Sequence, residues 1–194
     1  MAINRPRQGQ HALSWIGLVL GLCAAVGSSI QSGSAEAQVV VSPLWVNHFS
    51  LLPGDPTVVS TSANSATSGV GSGLTGLVIM SSTTGEVDSF GGNKEVHMAL
   101  NLPRNTVING VRVCYELTSS ASFISQIRLA QVEDPPSFAL VLLDDGTDRT
   151  ALGPICVDSA STNIASADGA VLLSLRVNFG NTSDKIVIRA LGLL

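Results

Sequence analysis

The clearest structural signal in this chain is the run of residues 107–117, VINGVRVCYEL. Apolar side chains occupy every second position of its latter half, with charged residues and a cysteine between them. A period of two places successive side chains on opposite faces of a β-strand. Val107 falls on the same apolar face, and Asn109-Gly110 predicts a bulge or bend near the start of the strand.

The same alternation recurs along the chain. It predicts further strands at residues 95–100, 123–132, 138–143, 150–157, 170–179 and 185–191. Residues 57–84 are rich in Ser, Thr, Gly and Ala, which is typical of long loops. We expect one short edge strand, 77–80, within them.

Short strands joined by polar turns are typical of two packed antiparallel sheets. We therefore predict an all-β fold, a single antiparallel β-sandwich of jelly-roll or immunoglobulin-like type, with its main strands in residues 94–194. Residues 38–93 are expected to add an extended lead-in, the Ser/Gly/Thr-rich loop region and short strands. Trp45 is the expected anchor of the lead-in.

Residues 102–115, LPRNTVINGVRVCY, resemble a pattern found in uncharacterised exported bacterial β-sandwich proteins. In that pattern a Leu-Pro turn precedes Ile-x-x-Val and an aromatic residue, here Ile108, Val111 and Tyr115. The resemblance covers 14 residues and is one of packing. It implies a fold class and no activity.

The first 37 residues have the three parts of an export signal. Arg5 and Arg7 form a basic start, an uncharged apolar stretch follows, and small residues end the segment at Ala35-Glu36-Ala37. We expect cleavage between Ala37 and Gln38 and a secreted or periplasmic domain without membrane insertion. Arg outnumbers Lys eight to two, which suggests a GC-rich bacterial source.

Two alternatives to cleavage stay open. Residues 12–30 carry no charge over 19 positions, nearly the ~20 residues that span a bilayer, so the segment is also a candidate anchor. Lipid attachment at Cys23 is the other alternative. It is disfavoured because Leu22, rather than a small residue, precedes the cysteine.

Charge excludes some classes of partner. Residues 38–194 keep eight of the ten Lys and Arg residues and 13 of the 14 Asp and Glu residues, a net charge of −5. An acidic domain is a poor match for nucleic acid or for an anionic membrane surface.

The cysteines point to a disulfide bond. After loss of Cys23, only Cys114 and Cys156 remain, both in predicted strands, and an exported domain folds in an oxidising compartment. We predict a Cys114–Cys156 bond, the alternative being two buried free thiols. No metal site or cofactor is predicted, because neither cysteine has a second cysteine or a histidine nearby.

Sequence motifs for catalysis are weak. Gly71 to Gly76 match GxGxxG, but no strand clearly precedes them, and a four-residue apolar run, not a helix, follows them. No Gly-x-Ser-x-Gly elbow is present. His48 and His97 are the histidines of the exported part; a metal site joining them with Asp55 or Glu95 is conceivable, but their spacing favours two ordinary surface histidines.

An acidic loop suggests a calcium site. Asp144-Asp145-Gly146-Thr147-Asp148 resembles calcium-binding loops, although the spacing of the helix-loop-helix site is missing. Asp-Gly between two apolar runs favours a hairpin turn.

Aromatic residues bear on glycan binding, which commonly uses exposed rings. Tyr115, Phe123 and Phe179 fall on predicted core faces, leaving Trp45, Phe49 and Phe90 as spare rings. The leading hypothesis is an exported, non-enzymatic binding or structural domain, with a glycan or an envelope protein as candidate partner. A polysaccharide-acting hydrolase or lyase and a calcium-dependent adhesive module are the alternatives.

Overall fold

A computed structural model describes residues 42–63, 76–103, 105–132, 138–161, 166–167 and 169–194. The predicted signal peptide, its cleavage site at Ala37 and Gln38, and Cys23 lie outside the described residues. No helix among the described residues is long and apolar enough to cross a membrane.

The described residues form β-strands and one short 3-10 turn, His48–Ser50. The strands are Leu44–Val46 (β1), Leu52–Pro53 (β2), Val59–Ser62 (β3), Leu77–Ser81 (β4), Glu95–Leu100 (β5), Thr106–Val107 (β6), Val111–Leu117 (β7), Phe123–Val132 (β8), Ala139–Asp145 (β9), Ile155–Asp158 (β10), Ser166–Ala167 (β11), Ala170–Asn178 (β12) and Ile186–Leu193 (β13).

Two antiparallel sheets dominate. The first has the order β10-β7-β13-β4-β3, and β1 also pairs with β13. The second has the order β2-β5-β12-β8-β9. Strands β6 and β11 form a separate two-stranded ribbon. Inward side chains of both sheets form one apolar cluster, and the predicted β-sandwich is thereby confirmed.

The alternation of apolar residues located the central strands correctly. The predicted bounds of β5 and β8 match the structure, and β12 ends one residue earlier than expected, at Asn178. Tyr115 and Phe179 are buried and Phe123 packs against the core, as expected. Each of these strands buries one face, so the side-chain pattern is strong.

The expected continuous strand at 107–117 is wrong in its first part. The strand is interrupted at residues 108–110, where the sequence predicts a bulge or bend, and Val107 is 58% exposed in the separate strand β6. Ile108 is buried in its place. The interruption shifts the alternation by one position. Here the main-chain N–H of Asn109 donates to the carbonyl oxygen of Leu194, the residue that follows β13.

The predicted edge strand at 77–80 is not at an edge. β4 lies between β3 and β13, and Leu77, Val78 and Ile79 are all buried. The edge is β3, whose Val-Ser-Thr-Ser sequence lies within the stretch expected to be loops. β4 is apolar on successive residues, which a period of two does not detect.

The expected hairpin turn at Asp145-Gly146 is also wrong. Within the described part of the chain, β9 pairs with β8 alone, and beyond it Arg149 bridges to Ile124 of the same strand β8. The chain therefore continues along one edge and does not fold back on β9. The next strand, β10, belongs to the other sheet and is shorter than the predicted 150–157.

The N-terminal lead-in docks as predicted. β1 pairs with the end of β13, with Trp45 opposite Gly192 and Val46 opposite Leu191. Val46, rather than Trp45, packs against the core. The ring of Trp45, the expected anchor, lies over Gly192 of β13 and is 51% exposed.

Candidate functional site

A cleft of about 300 Å³ opens between the N-terminal segment and the end of β5. Residues 44–47 and Ser50 line one side, and residues 98–102 line the other. The described lining residues are Leu44, Trp45, Val46, Asn47, Ser50, Met98, Ala99, Leu100, Asn101 and Leu102. All ten are uncharged, so the described walls of the cleft are apolar and neutral polar.

Trp45 is the large aromatic side chain of this cleft. It lies opposite Gly192 of β13, where a Cβ atom would stand 3.1 Å from its Cε3 atom. Glycine at this position therefore leaves the space that the ring occupies. Trp45 is half exposed and held in place, which leaves an amphipathic face available to a ligand.

Three polar side chains line the cleft together with Trp45. The side-chain oxygen of Asn47 accepts a hydrogen bond from the main-chain N–H of Phe49 at 3.2 Å, which caps the His48–Ser50 turn. Its amide N–H groups are left for other partners. Ser50 and Asn101 are exposed, and their side chains make no hydrogen bond among the described residues. The cleft thus offers amide and hydroxyl groups beside an aromatic face.

The two histidines lie in different elements, the 3-10 turn and β5. His48 lies in the 3-10 turn with its ring centroid 4.2 Å from that of Phe49, and burial lowers its pKa. His97 lies on the outer face of β5, where its Nδ1 is 3.7 Å from a carboxylate oxygen of Glu95. Among the described residues, the two histidines form no cluster of three or more possible metal ligands with Asp55 or Glu95.

A serine–histidine arrangement is not formed either. Ser174 of β12 lies directly opposite His97. However, the Nε2 and Cε1 atoms of His97 lie beside Gly54, where a Cβ would stand 2.9 Å from each. Gly54 adjoins β2, on the other side of β5. The imidazole nitrogen that would take a proton from Ser174 thus faces away from it.

Asp55, the other candidate partner of the histidines, is hydrogen-bonded to loop residues Thr57 and Ser89. One carboxylate oxygen accepts from the main-chain N–H and the hydroxyl of Thr57, and the second from the same two groups of Ser89. Hydrogen bonds from the hydroxyls of Ser89 and Thr57 hold the pKa of Asp55 well below its usual range. Its oxygens are occupied by the protein itself.

The acidic loop is also occupied by internal partners. Asp144 accepts hydrogen bonds from Gln126 and, at 3.0 Å, from Arg128. Asp145 accepts from Arg149 at 2.6 Å and from the main-chain N–H groups of Thr147 and Ala160. Within the described residues, no three His, Cys, Asp or Glu side chains come together as a metal site would require. Asp145 joins β9 to the segment after β10 and is a structural residue.

The predicted disulfide bond is confirmed. Cys114 of β7 and Cys156 of β10 are paired residues in the first sheet and are joined by an S–S bond across a separation of 42 residues. The bond fastens the edge strand β10 to β7. None of the described residues of the cleft belongs to these two strands.

The aromatic prediction was partly right. Trp45, Phe49 and Phe90 are exposed as expected, but Phe138 is also 65% exposed and was missed. Of these rings, Trp45 is the one that lines the cleft. Asn47, Ser50 and Asn101 were not predicted as site residues. They belong to two segments that are distant in sequence and that meet only in the folded protein.

Comparisons with known proteins are distant. No family model matches the chain, and no curated protein matches it. The carbohydrate-binding module CBM36 in complex with calcium and xylotriose is 9% identical with a TM-score of 0.45, covering 77% of this chain and 98% of its own.

Two further structures match at similar levels. A Clostridium thermocellum xylanase 10B fragment, CBM22-1 with GH10 modules complexed with xylohexaose, is 10% identical with a TM-score of 0.48, covering 77% of this chain and 27% of its own. A structure described as showing the promiscuous specificity of carbohydrate-binding modules of the β-sandwich superfamily is 12% identical with a TM-score of 0.41, covering 75% of this chain and 54% of its own. These likenesses are too distant to transfer a ligand to this chain.

Proposed function

We propose that this protein is an exported, non-enzymatic β-sandwich domain that binds carbohydrate in the cleft beside Trp45. The carrying observation is a half-exposed indole fixed over Gly192 at the edge of a cleft of about 300 Å³. Small-molecule sites combine an apolar surface with a few convergent polar groups, and this cleft has both.

The chemistry of the lining suits a sugar. One face of a pyranose ring is a row of C–H groups, which packs on an aromatic face, and its rim is a ring of hydroxyls. Asn47, Ser50 and Asn101 supply amide and hydroxyl groups that donate and accept hydrogen bonds.

The same lining supports binding without turnover. Glycoside hydrolysis uses two carboxyl groups on either side of the scissile bond. None of the described cleft residues carries a carboxylate or an imidazole. We infer that a bound glycan is held and released unchanged.

Export is part of the proposal. The basic start, apolar stretch and small-residue end of residues 1–37 support removal of a signal peptide before Gln38. The disulfide bond supports an oxidising compartment, secreted or periplasmic. The bacterial source and the relation to exported bacterial β-sandwich proteins are proposed from composition and from residues 102–115.

Titration calorimetry with a panel of soluble oligosaccharides tests the proposal. We expect at least one saccharide to bind the native protein, and Trp45→Ala to weaken that binding about tenfold or more, ~1.4 kcal/mol. Phe90→Ala is the matched control, because Phe90 is 83% exposed and does not line the cleft. Binding that survives Trp45→Ala, or a panel with no binder, overturns the proposal.

A further inference from the structure

One edge of β5 is unpaired where it borders the cleft. β2 covers this edge only at Val96 and His97, and the main-chain N–H of Gly54 then bonds the carbonyl oxygen of Glu95. On the opposite edge, β12 pairs with β5 all the way to Leu100. From Met98 onward, no strand among the described residues covers the edge that faces the N-terminal segment.

The direction of the free main-chain groups follows from the pairing. Successive residues of a strand point their N–H and C=O groups to alternate edges. The carbonyl oxygen of Glu95 points toward Gly54, so the main-chain groups of His97, Ala99 and Asn101 point to the same side. Those of Ala99 and Asn101 have no partner among the described residues and face the cleft.

We infer that the cleft binds an uncharged glycan chain whose hydroxyl groups bond the free edge of β5. This inference rests on the proposed carbohydrate binding and adds the class of sugar and the groups that recognise it. A strand edge presents an N–H donor and a C=O acceptor side by side, and a sugar hydroxyl is both a donor and an acceptor. The Trp45 ring covers the C–H face while Ala99 and Asn101 bond the rim.

Acidic sugars do not match this surface. A carboxylate only accepts hydrogen bonds. It can accept from the N–H of Ala99, but it then also lies beside a main-chain carbonyl oxygen, which is another acceptor and cannot bond it. The described lining has no Lys or Arg to compensate. Uronate-containing chains should therefore bind more weakly than neutral chains of the same linkage.

Matched pairs of oligosaccharides test the sugar class on the native protein. The pairs are β-1,4-linked mannose against mannuronate and β-1,4-linked glucose against glucuronate, extended to other linkages if the panel finds a binder there. We expect the neutral member of a pair to bind at least tenfold more tightly than the acidic member. Equal or tighter binding of the acidic member overturns the inference and leaves carbohydrate binding standing.

Variants at Ala99 test the main-chain contact. Ala99→Pro removes the N–H that faces the cleft, a change that an uncovered strand edge tolerates, and Ala99→Thr keeps it. We expect Ala99→Pro to weaken the neutral glycan about tenfold and Ala99→Thr to stay within about twofold. Equal affinities for the two variants overturn the main-chain contact.

A measurement on the native protein tests the same contact even if Ala99→Pro does not fold. Hydrogen exchange of the Ala99 and Asn101 amides should slow at least tenfold on saturation with the neutral glycan, and unchanged exchange overturns the inference. A neutral extended pentapeptide, Ac-SVTVS-NH2, is the last arm. If it binds in a Trp45-dependent way while no saccharide binds, the cleft recognises peptide and both proposals fail.

Discussion

The two ends of β5 differ in how their polar groups are satisfied. At the N-terminal end, the Lys94 ammonium is fully buried and donates to the carbonyl oxygens of Thr83, Thr84 and Gly85 at 2.7 to 2.9 Å. Nearby, the Asp55 carboxylate accepts hydrogen bonds from the main-chain N–H and the hydroxyl of Ser89. At the C-terminal end, Ala99 and Asn101 have free main-chain groups beside the exposed Trp45.

This difference indicates a structural role for the polar groups at the N-terminal end of β5 and a binding role for those at its C-terminal end. Buried polar groups that find all their partners within the protein hold loops in place and have nothing left for a ligand. Polar groups that stay free at an uncovered edge are available to one. We call these two regions the closed end and the open end of β5, and substitutions should affect folding at the first and binding at the second.

The largest effect on stability is expected at the closed end, from Lys94→Met. The substitution leaves the carbonyl oxygens of Thr83, Thr84 and Gly85 without their buried donor, which costs about 3–5 kcal/mol of unfolding free energy. Urea denaturation measures it. Lys185→Met is the control, since that side chain is only half buried, and it should cost clearly less. A loss below about 1 kcal/mol for Lys94→Met would show that the turn does not depend on the ammonium.

Removal of the disulfide bond should be the next largest effect. Replacing Cys114 and Cys156 by Ala together releases a closed loop with a separation of 42 residues, and we expect a loss of about 2–4 kcal/mol. The bond touches neither end of β5. Glycan affinity at a temperature where the variant is folded should therefore stay within about twofold of the native value. A loss of affinity comparable to that of Trp45→Ala would mean that the sheets transmit changes to the open end.

The pH dependence of stability tests the closed end a second time. Hydrogen bonds from Ser89 and Thr57 lower the pKa of Asp55 in the folded protein, so its carboxylate stabilises the fold above the ordinary value of about 4. That contribution is lost as the pH falls below this value toward the folded pKa. Thermal melts from pH 6 to pH 2 should show a shallower acid decline for Asp55→Asn than for the native protein. The exposed Asp148→Asn serves as control. Parallel declines for Asp55→Asn and the native protein would contradict a role for this carboxylate.

Much of the fold could be predicted from the sequence because the central strands bury one face. β5, β7, β8 and β12 alternate apolar and polar residues, and each was located from that pattern. The pattern fails for β4, which is apolar on successive residues, and for β3, which is a polar edge strand. The course of the chain after Asp145 depends on a salt bridge with Arg149 and on the bridge to Ile124, which local propensity does not encode.

Of the residues in the candidate site, only Trp45 was predicted from the sequence. Trp45 was identified as a spare ring from composition. Its neighbours across the cleft, Ala99 and Asn101, are recruited by pairing between strands distant in sequence, and their recognition groups belong to the main chain. The order of apolar and polar side chains along a strand does not indicate which of its two edges will lack a neighbouring strand.

The smallest effect on stability is expected at the open end, from Asn101→Ala. Asn101 is exposed and its side chain bonds no described residue, so the change in unfolding free energy should stay within about 0.5 kcal/mol. Its amide should nevertheless contribute to ligand binding, and we expect glycan affinity to fall about three- to tenfold, ~0.7–1.4 kcal/mol. Asn93→Ala is the matched control, because Asn93 is an exposed asparagine beside the closed end of β5 and should change neither quantity. Calorimetry and urea denaturation on the same three proteins decide the matter. If Asn101→Ala destabilises the fold as much as it weakens binding, the open end also serves structure, and the division between the two ends of β5 fails.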